Sequence, residues 1–417
     1  MASLSPAALE RARKSFYAFN ALNSTAFVLL SGSFATLFAL RLGASNAFVG
    51  FLNALGYITF FFLPLGRALV RGRPIITVFG RAWVARYMGM LPALAAPALA
   101  AAGAKGAALG LVLASVALFN LFRGVGLIGN NPLVAFLASG GTEGRRDKGS
   151  FMVTVQIIGS LGGLGTNLAV SLLLGRSASS WIYALAMGAG IAIGSLSCIL
   201  LLRSPEPEGY KPPAEGGLWK GSREALSEKP LRDFFATLLL LSFIAGMARS
   251  FLPVYAKEVF GQGDDAVMAY SLIGSLGSLA MGLLTRLLVD RLGAKPLYVI
   301  YTAVAALSLV PLAVAPGTAG ALAGPAAAAA FLVGVNFISA FGFAGEENAA
   351  QIYFFALARP ERTLDLGVLY FLVFGLGGSL GSGAGGLALD ALASAGLPDD
   401  VAYRVFYGAL AVALALA

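Results

Sequence analysis

Twelve stretches of this chain run for 15 to 32 residues with almost no charged side chain, at about 17–40, 47–66, 74–99, 107–138, 151–174, 179–202, 234–256, 267–285, 297–315, 321–345, 366–389 and 403–417. Backbone amides in hydrocarbon find no water, so such runs must satisfy themselves as helices. A bilayer is crossed by about 20 apolar residues, and twelve crossings would use roughly 240 of the 417 positions. What remains suffices for short loops and one linker. The composition agrees: 58% of residues are hydrophobic and 12% charged, whereas soluble domains carry about 25% charged residues. A soluble enzyme, a nucleic-acid-binding module and a secreted scaffold are excluded.

The net charge of +9 reads as topology once its placement is considered. With the N-terminus inside, the segments between runs alternate, and the inner ones hold twenty Lys and Arg residues against five outside. This positive-inside bias predicts that both termini face the cytoplasm, in a multi-pass protein of the cytoplasmic membrane. The first run is too long and polar for a secretory h-region and reads as a retained helix. The last, Tyr403 to Ala417, gives roughly 22 Å of helix, so the natural chain is expected to continue past Ala417.

Two counts restrict the chemistry. No histidine is present, so imidazole serves neither as proton shuttle, base nor metal ligand. The single cysteine, Cys198, lies in an apolar run, which excludes an intrachain disulfide and a thiolate cluster. No nucleophile–base pair or metal constellation can be assembled, so an enzyme is not expected. Gly375-Leu-Gly377-Gly378 lacks the preceding strand and following Lys-Ser/Thr of a phosphate loop.

The chain also repeats itself. A shift of 218 residues superimposes Glu143 on Glu361, Asp147 on Asp365, Gly149 on Gly367, Gly159 on Gly377, Gly163 on Gly381 and Gly165 on Gly383. One helix earlier, Gly124, Asn130, Phe136 and Ala138 fall on Gly342, Asn348, Phe354 and Ala356. With small gaps, Arg67 to Pro74, including Arg71 and Arg73, aligns with Arg286 to Pro296. The reading is an all-α integral membrane protein of two six-helix bundles, 1–202 and 233–417, related by a pseudo-two-fold. The polar stretch 203–232 is a cytoplasmic linker.

In this arrangement the chain resembles the major facilitator superfamily. Asp290-Arg291-Leu-Gly293-Ala-Lys295 is similar to that family's loop signature closing the eighth helix, and Arg359-Pro360-Glu361-Arg362 followed by Gly367 is also typical of it. The resemblance covers essentially the whole chain and is specific for fold, not substrate. Departures are visible. The first-half turn Val70-Arg71-Gly72-Arg73 has no acid matching Asp290. The fifth run has glycines but lacks the proline of drug/proton antiporters, and Arg123-Gly124-Val125-Gly126 departs from the arginine motif of proton-coupled members.

By resemblance, the first, fourth, seventh and tenth helices line a central cavity. Polar side chains concentrate in those runs: Asn20 and Asn23; Asn120, Arg123, Asn130 and Asn131; Ser242, Arg249 and Ser250; Asn336, Ser339, Glu346, Glu347 and Asn348. Arg123 and Asn130 are seven apart and Asn336 and Glu347 eleven apart, spacings that share a helix face. Glu347 lies roughly 16 Å of helix from Ala358, near mid-membrane. Glu346 and Glu347, at the cytoplasmic end of the tenth run, are the only acids inside the membrane spans proper, so any proton coupling there must use them. The plainer alternative is that a buried acid pairs with a buried arginine and holds helices together. Arg249 is expected to snorkel outward, and Arg86, in the third run, to need a packing partner. Amides bind neighbouring helices at least as often as ligands. The resemblance further implies gating by Asp290 and Arg291 against the start of the fifth helix, Lys148-Gly149-Ser150, with Arg71 and Arg73 in the equivalent turn; the alternative is that Asp290 and Arg291 only order a loop.

The expected function is secondary active transport of a small polar or zwitterionic organic solute by alternating access, coupled to H+ or Na+. Alternatives are a passive facilitator, a lipid flippase, a multidrug exporter and a non-transporting solute sensor. No cofactor beyond a coupling ion is expected. The expected partners are the solute and the lipid bilayer, with no nucleic acid, around a monomer.

Overall fold

The computed structural model describes residues 5–139, 145–207, 223, 226–315, 324–358 and 363–417. Among them the chain is helical, with turns and no strand. In chain order the helices are α1 (Pro6–Arg41), α2 (Asn46–Leu69), α3 (Ile75–Ala101), α4 (Lys105–Leu127), α5 (Arg145–Leu174), α6 (Ser180–Leu202), α7 (Lys229–Glu258), α8 (Asp264–Leu292), α9 (Ala294–Val314), α10 (Pro325–Leu357), α11 (Thr363–Ser394) and α12 (Asp399–Leu416). Eleven contain a stretch long and apolar enough to cross a membrane. The twelfth run is realised as α12. Its 18 residues make about 27 Å of helix, packed against α9 and α7, but it is not among the eleven.

Several helices are interrupted where the sequence cannot continue them. α1 breaks at Ser31, which is extended, and resumes at Gly32, whose φ of 59° favours glycine. α2 tightens into a 3-10 turn over Thr59–Phe62 just before Pro64, whose ring and missing amide suit the first turn of the helical piece that follows. α4 ends at Leu127, and a separate helix begins at Asn130.

Contacts group the chain into two compact units that do not follow its halves. The first comprises 1–38, 58–170 and 179–215; the second comprises 39–57, 171–178 and 216–417. In the first, α1 packs on α6, and α3 on α4 and α6. The Glu206 carboxylate accepts hydrogen bonds from the Ile75 and Ile76 amides at the start of α3, where free N–H groups and the helix dipole favour an acid. In the second, α7 packs on α11, α8 and α9 on α10, and α12 on α9. The 39–57 segment belongs to this unit through α11: Asp390 Oδ2 accepts from the Ala47 amide at 3.0 Å, and a Cβ on Gly50 would come within 3.2 Å of Gly386 Cα.

The glycine repeat has a packing cause. A Cβ on Gly159 of α5 would stand 3.2 Å from Ser24 Oγ on α1, and one on Gly377 of α11 would collide with Ser242 Oγ on α7. Ser24 and Ser242 are themselves 218 apart. Each unit therefore uses the same serine–glycine contact to bring one helix close to another.

Candidate functional site

In the second unit, α7 delivers Arg249 and α10 delivers Glu347 to one place, where Arg249 Nη1 donates to Glu347 Oε1 in an ion pair. Glu347 is ten residues from Leu357, about 15 Å of helix, and Arg249 is nine from Glu258, about 13 Å. Neither stands at a membrane surface. Their side chains are nevertheless 41% and 31% exposed. Ionised groups at such depth face water or protein and not lipid, so the pair borders open, wettable space. Arg249 thus does not snorkel outward as its position suggested. A carboxylate within reach on α10 offers a stronger partner than a distant headgroup layer.

Glu346, the next residue, is turned into protein and is 3% exposed. It belongs to the buried face Ala328, Leu332, Val335, Ser339, Gly342, Glu346 and Ala349. No hydrogen-bond partner is found for it among the described residues. The two glutamates therefore occupy different environments. Asn336 turns its Nδ2 back to the Leu332 carbonyl at 2.8 Å, and Asn348 to that of Ala344 at 3.1 Å, which is local helix bonding. Ser250 and Ser382 share a buried hydroxyl–hydroxyl hydrogen bond that ties α7 to α11.

In the first unit, Arg123 is half-buried, its Cζ 5.0 Å from the Phe27 ring centroid. Arg86 is 1% exposed. Its packing partners are rings, with centroids at 4.1 Å for Phe119, 4.9 Å for Trp83, 5.0 Å for Tyr87 and 5.7 Å for Phe27. Asn23 Oδ1 accepts from Trp83 Nε1 at 2.9 Å and from the Tyr87 hydroxyl at 2.8 Å. Asn20 bonds back to the Phe16 carbonyl at 2.8 Å. Asn120 is buried, its Nδ2 bonded to the Val116 carbonyl. Asn130 and Asn131 open the helix that follows the break after α4, and their amides touch each other at 3.4 Å. That break removes the continuous helix on which Arg123 and Asn130 were expected to share a face.

Of the residues that the resemblance places at a gate, Arg71, Arg73 and Arg291 are exposed. Gly72 turns the chain between the first two with φ of 69°. Asp290 lies in the last turn of α8, which Gly293 terminates with φ of 81°. The side chains of Asp290, Lys148 and Ser150 lie outside the described residues, as does Arg359-Pro360-Glu361-Arg362. No group of acids and cysteine that could hold a metal occurs among the described residues. A cavity of about 790 Å³ in the second unit, bounded by Phe234, Tyr298, Tyr353 and Leu414, contains neither Arg249 nor either glutamate.

Sequence reasoning missed the carboxylates of Glu206 and Asp390 at helix starts. The signal available for both was an acid near a run of free amides, at a sequence distance of 131 and 343 residues.

Residues 16–382 match the family model of the Major Facilitator Superfamily. Among curated protein sequences none matches the chain. Similar solved structures include a mutant of the nucleoside transporter NupG, with a TM-score of 0.79 at 13% identity over 97% of this chain and 98% of that one. A D-xylose-proton symporter gives 0.73 at 15%, over 98% and 96%. A bacterial homologue of the iron transporter ferroportin, in an inward-facing state, gives 0.71 at 14%, over 98% and 97%. Relatives named for a nucleoside, a sugar and a metal share the fold at these identities, so the likeness fixes architecture and leaves the cargo to the side chains.

Proposed function

The chain belongs to the Major Facilitator Superfamily, and from that premise we propose that it is a secondary active transporter, moving a small polar or zwitterionic organic solute by alternating access with a proton as coupling ion. It is a transporter and not an enzyme. The observation that carries the coupled reading is the arrangement on α10. A mid-membrane ion pair, Arg249–Glu347, borders open space, and the adjacent Glu346 is buried without a hydrogen-bond partner among the described residues. A buried carboxyl can shed its charge by binding a proton, which an arginine beside it cannot supply. Glu346 takes up and releases the proton, and the neighbouring pair communicates its state to the solute site. The basic residues concentrated in alternate loops support a cytoplasmic membrane orientation with both termini inside.

The test is proteoliposomes holding a pH-sensitive dye, challenged from outside with a metabolite panel. A solute that moves protons identifies cargo and coupling together. Glu346→Gln is expected to abolish concentrative uptake of that solute while leaving solute exchange. Full pH-driven uptake in the Glu346→Gln/Glu347→Gln double variant would refute the proposal.

A further inference from the structure

The two units treat their buried cations differently. In the second, Arg249 is neutralised by Glu347. In the first, Arg86 and Arg123 both lie within 6 Å of the Phe27 ring centroid, and no carboxylate pairs with either among the described residues. The sequence explains why: the apolar runs of the first unit contain no Asp or Glu. Arg86 Nε and Nη2 are buried and find no acceptor among the described residues. Ring faces compensate a guanidinium in part, but they accept no in-plane hydrogen bond, and a buried charge without a hydrogen-bonded partner is costly. Two such cations around one ring amount to a strong positive potential.

A third donor is held ready beside them. Indole N–H can only donate, so the Trp83 contact fixes which end of the Asn23 amide is oxygen. With Oδ1 occupied by Trp83 and Tyr87, the Nδ2 end remains a donor with no partner among the described residues. The geometry points to an oxyanion-binding site in the first unit: Arg123, which is only partly buried, contacts the carboxylate or phosphate-type group of the solute, Asn23 Nδ2 adds a hydrogen bond, and buried Arg86 reinforces the potential from behind. The transported solute accordingly carries at least one anionic oxygen group. This deepens the transport reading and rests on it for the word "transported"; the binding site itself does not.

The experiment reads binding without a gradient. In the full chain carrying Trp181→Phe and Trp219→Phe, Trp83 is the sole tryptophan and stacks on Arg86. In lipid nanodiscs at fixed ionic strength, its emission is followed on adding sodium acetate, sodium succinate or inorganic phosphate, with choline chloride and glucose as comparisons. A saturable change with the oxyanions alone is expected, and the order of acetate, succinate and phosphate identifies a carboxylate or a phosphate site. Arg123→Gln should weaken binding about tenfold or more, the scale of a lost charge-assisted hydrogen bond, and Arg123→Lys should restore part of it. Because Arg86 variants are exposed to misfolding, Arg123→Gln carries the decision; with an unpaired cation removed, its thermal stability should equal or exceed that of the parent. No saturable response to any oxyanion, or an unchanged response in Arg123→Gln, overturns the site. Anion binding that survives while proton-coupled uptake is absent would instead defeat the coupling reading alone.

Discussion

Removing either member of the Arg249–Glu347 pair should expose an asymmetry between its two halves. Exposed ion pairs contribute about 0.2–1 kcal/mol, and breaking a fully buried one costs about 3–5 kcal/mol. With 41% and 31% of the side chains open, the pair falls between, so a coupling of about 2 kcal/mol is expected from a double-mutant cycle. The singles are not equivalent. Glu347→Gln leaves a guanidinium that cannot give up its proton. Arg249→Gln leaves Glu347 unpaired one residue from Glu346, and a carboxyl can neutralise itself by binding a proton from solution. The defect of Arg249→Gln should therefore shrink between pH 8 and pH 5.5, whereas that of Glu347→Gln should stay constant. The double variant should recover most of the lost stability and none of the concentrative transport. Thermal unfolding in detergent at the two pH values, alongside uptake in proteoliposomes, checks each arm. Additive losses would show that the two side chains do not interact, and a pH-independent Arg249→Gln defect would remove the reason given for it.

Three further outcomes follow from residues away from that pair. Glu206→Ala removes the acceptor for two amides at the start of α3 and should cost about 1 kcal/mol, read as a lowered unfolding temperature that Glu206→Asp only partly restores. Gly50→Val forces a side chain into the Ser382–Gly386 backbone of α11; overpacking of about 1–3 kcal/mol should lower stability and raise labelling of a cysteine placed at Ala47, in a Cys198→Ser background, by an impermeant maleimide. Asp290→Asn should shift the population toward an inward-open state, detected as changed accessibility of single-cysteine probes on the two faces; unchanged labelling on both would leave Asp290 with loop ordering only.

Much of the architecture was legible because the solvent writes itself into the chain. Runs without charge mark α1 to α11 directly, since hydrocarbon tolerates no alternative to a helix. The internal repeat was readable because close helix contact admits only small residues, and Gly159 and Gly377 meet the equivalent serines of α1 and α7. Breaks inside helices were less legible. α4 stops at Leu127 because Pro132 has no N–H for the Ile128 carbonyl and its ring crowds that carbonyl, a short signal inside a long charge-free run, and the continuous helix carrying Arg123 and Asn130 is lost. Contacts between residues 131 or 343 positions apart, as for Glu206 and Asp390, depend on tertiary placement that local pattern does not encode.

Glu346 and Glu347 are neighbours in sequence but not in surroundings. Adjacent residues on a helix project about 100° apart, so Glu346 and Glu347 cannot share one environment, however close they stand in sequence. Among the buried positions of α10, those at 328, 332, 335, 339, 342, 346 and 349 follow steps of three and four, with 343, 345, 350 and 354 widening the stripe toward its C-terminal half. That pattern, already present in the sequence as small and apolar residues with one acid among them, includes 346 and omits 347. A charged residue placed on the packed stripe of a helix must be neutralised or partnered within protein, whereas one beside the stripe can meet a partner across open space, as Glu347 meets Arg249. On the proposed coupling, the same step of one residue separates two chemical roles: a group that would store a proton out of water, and a group that would sense what enters the space beside it. A transporter that couples the two needs them close enough to interact and different enough to be occupied separately, and consecutive positions on one helix provide both conditions.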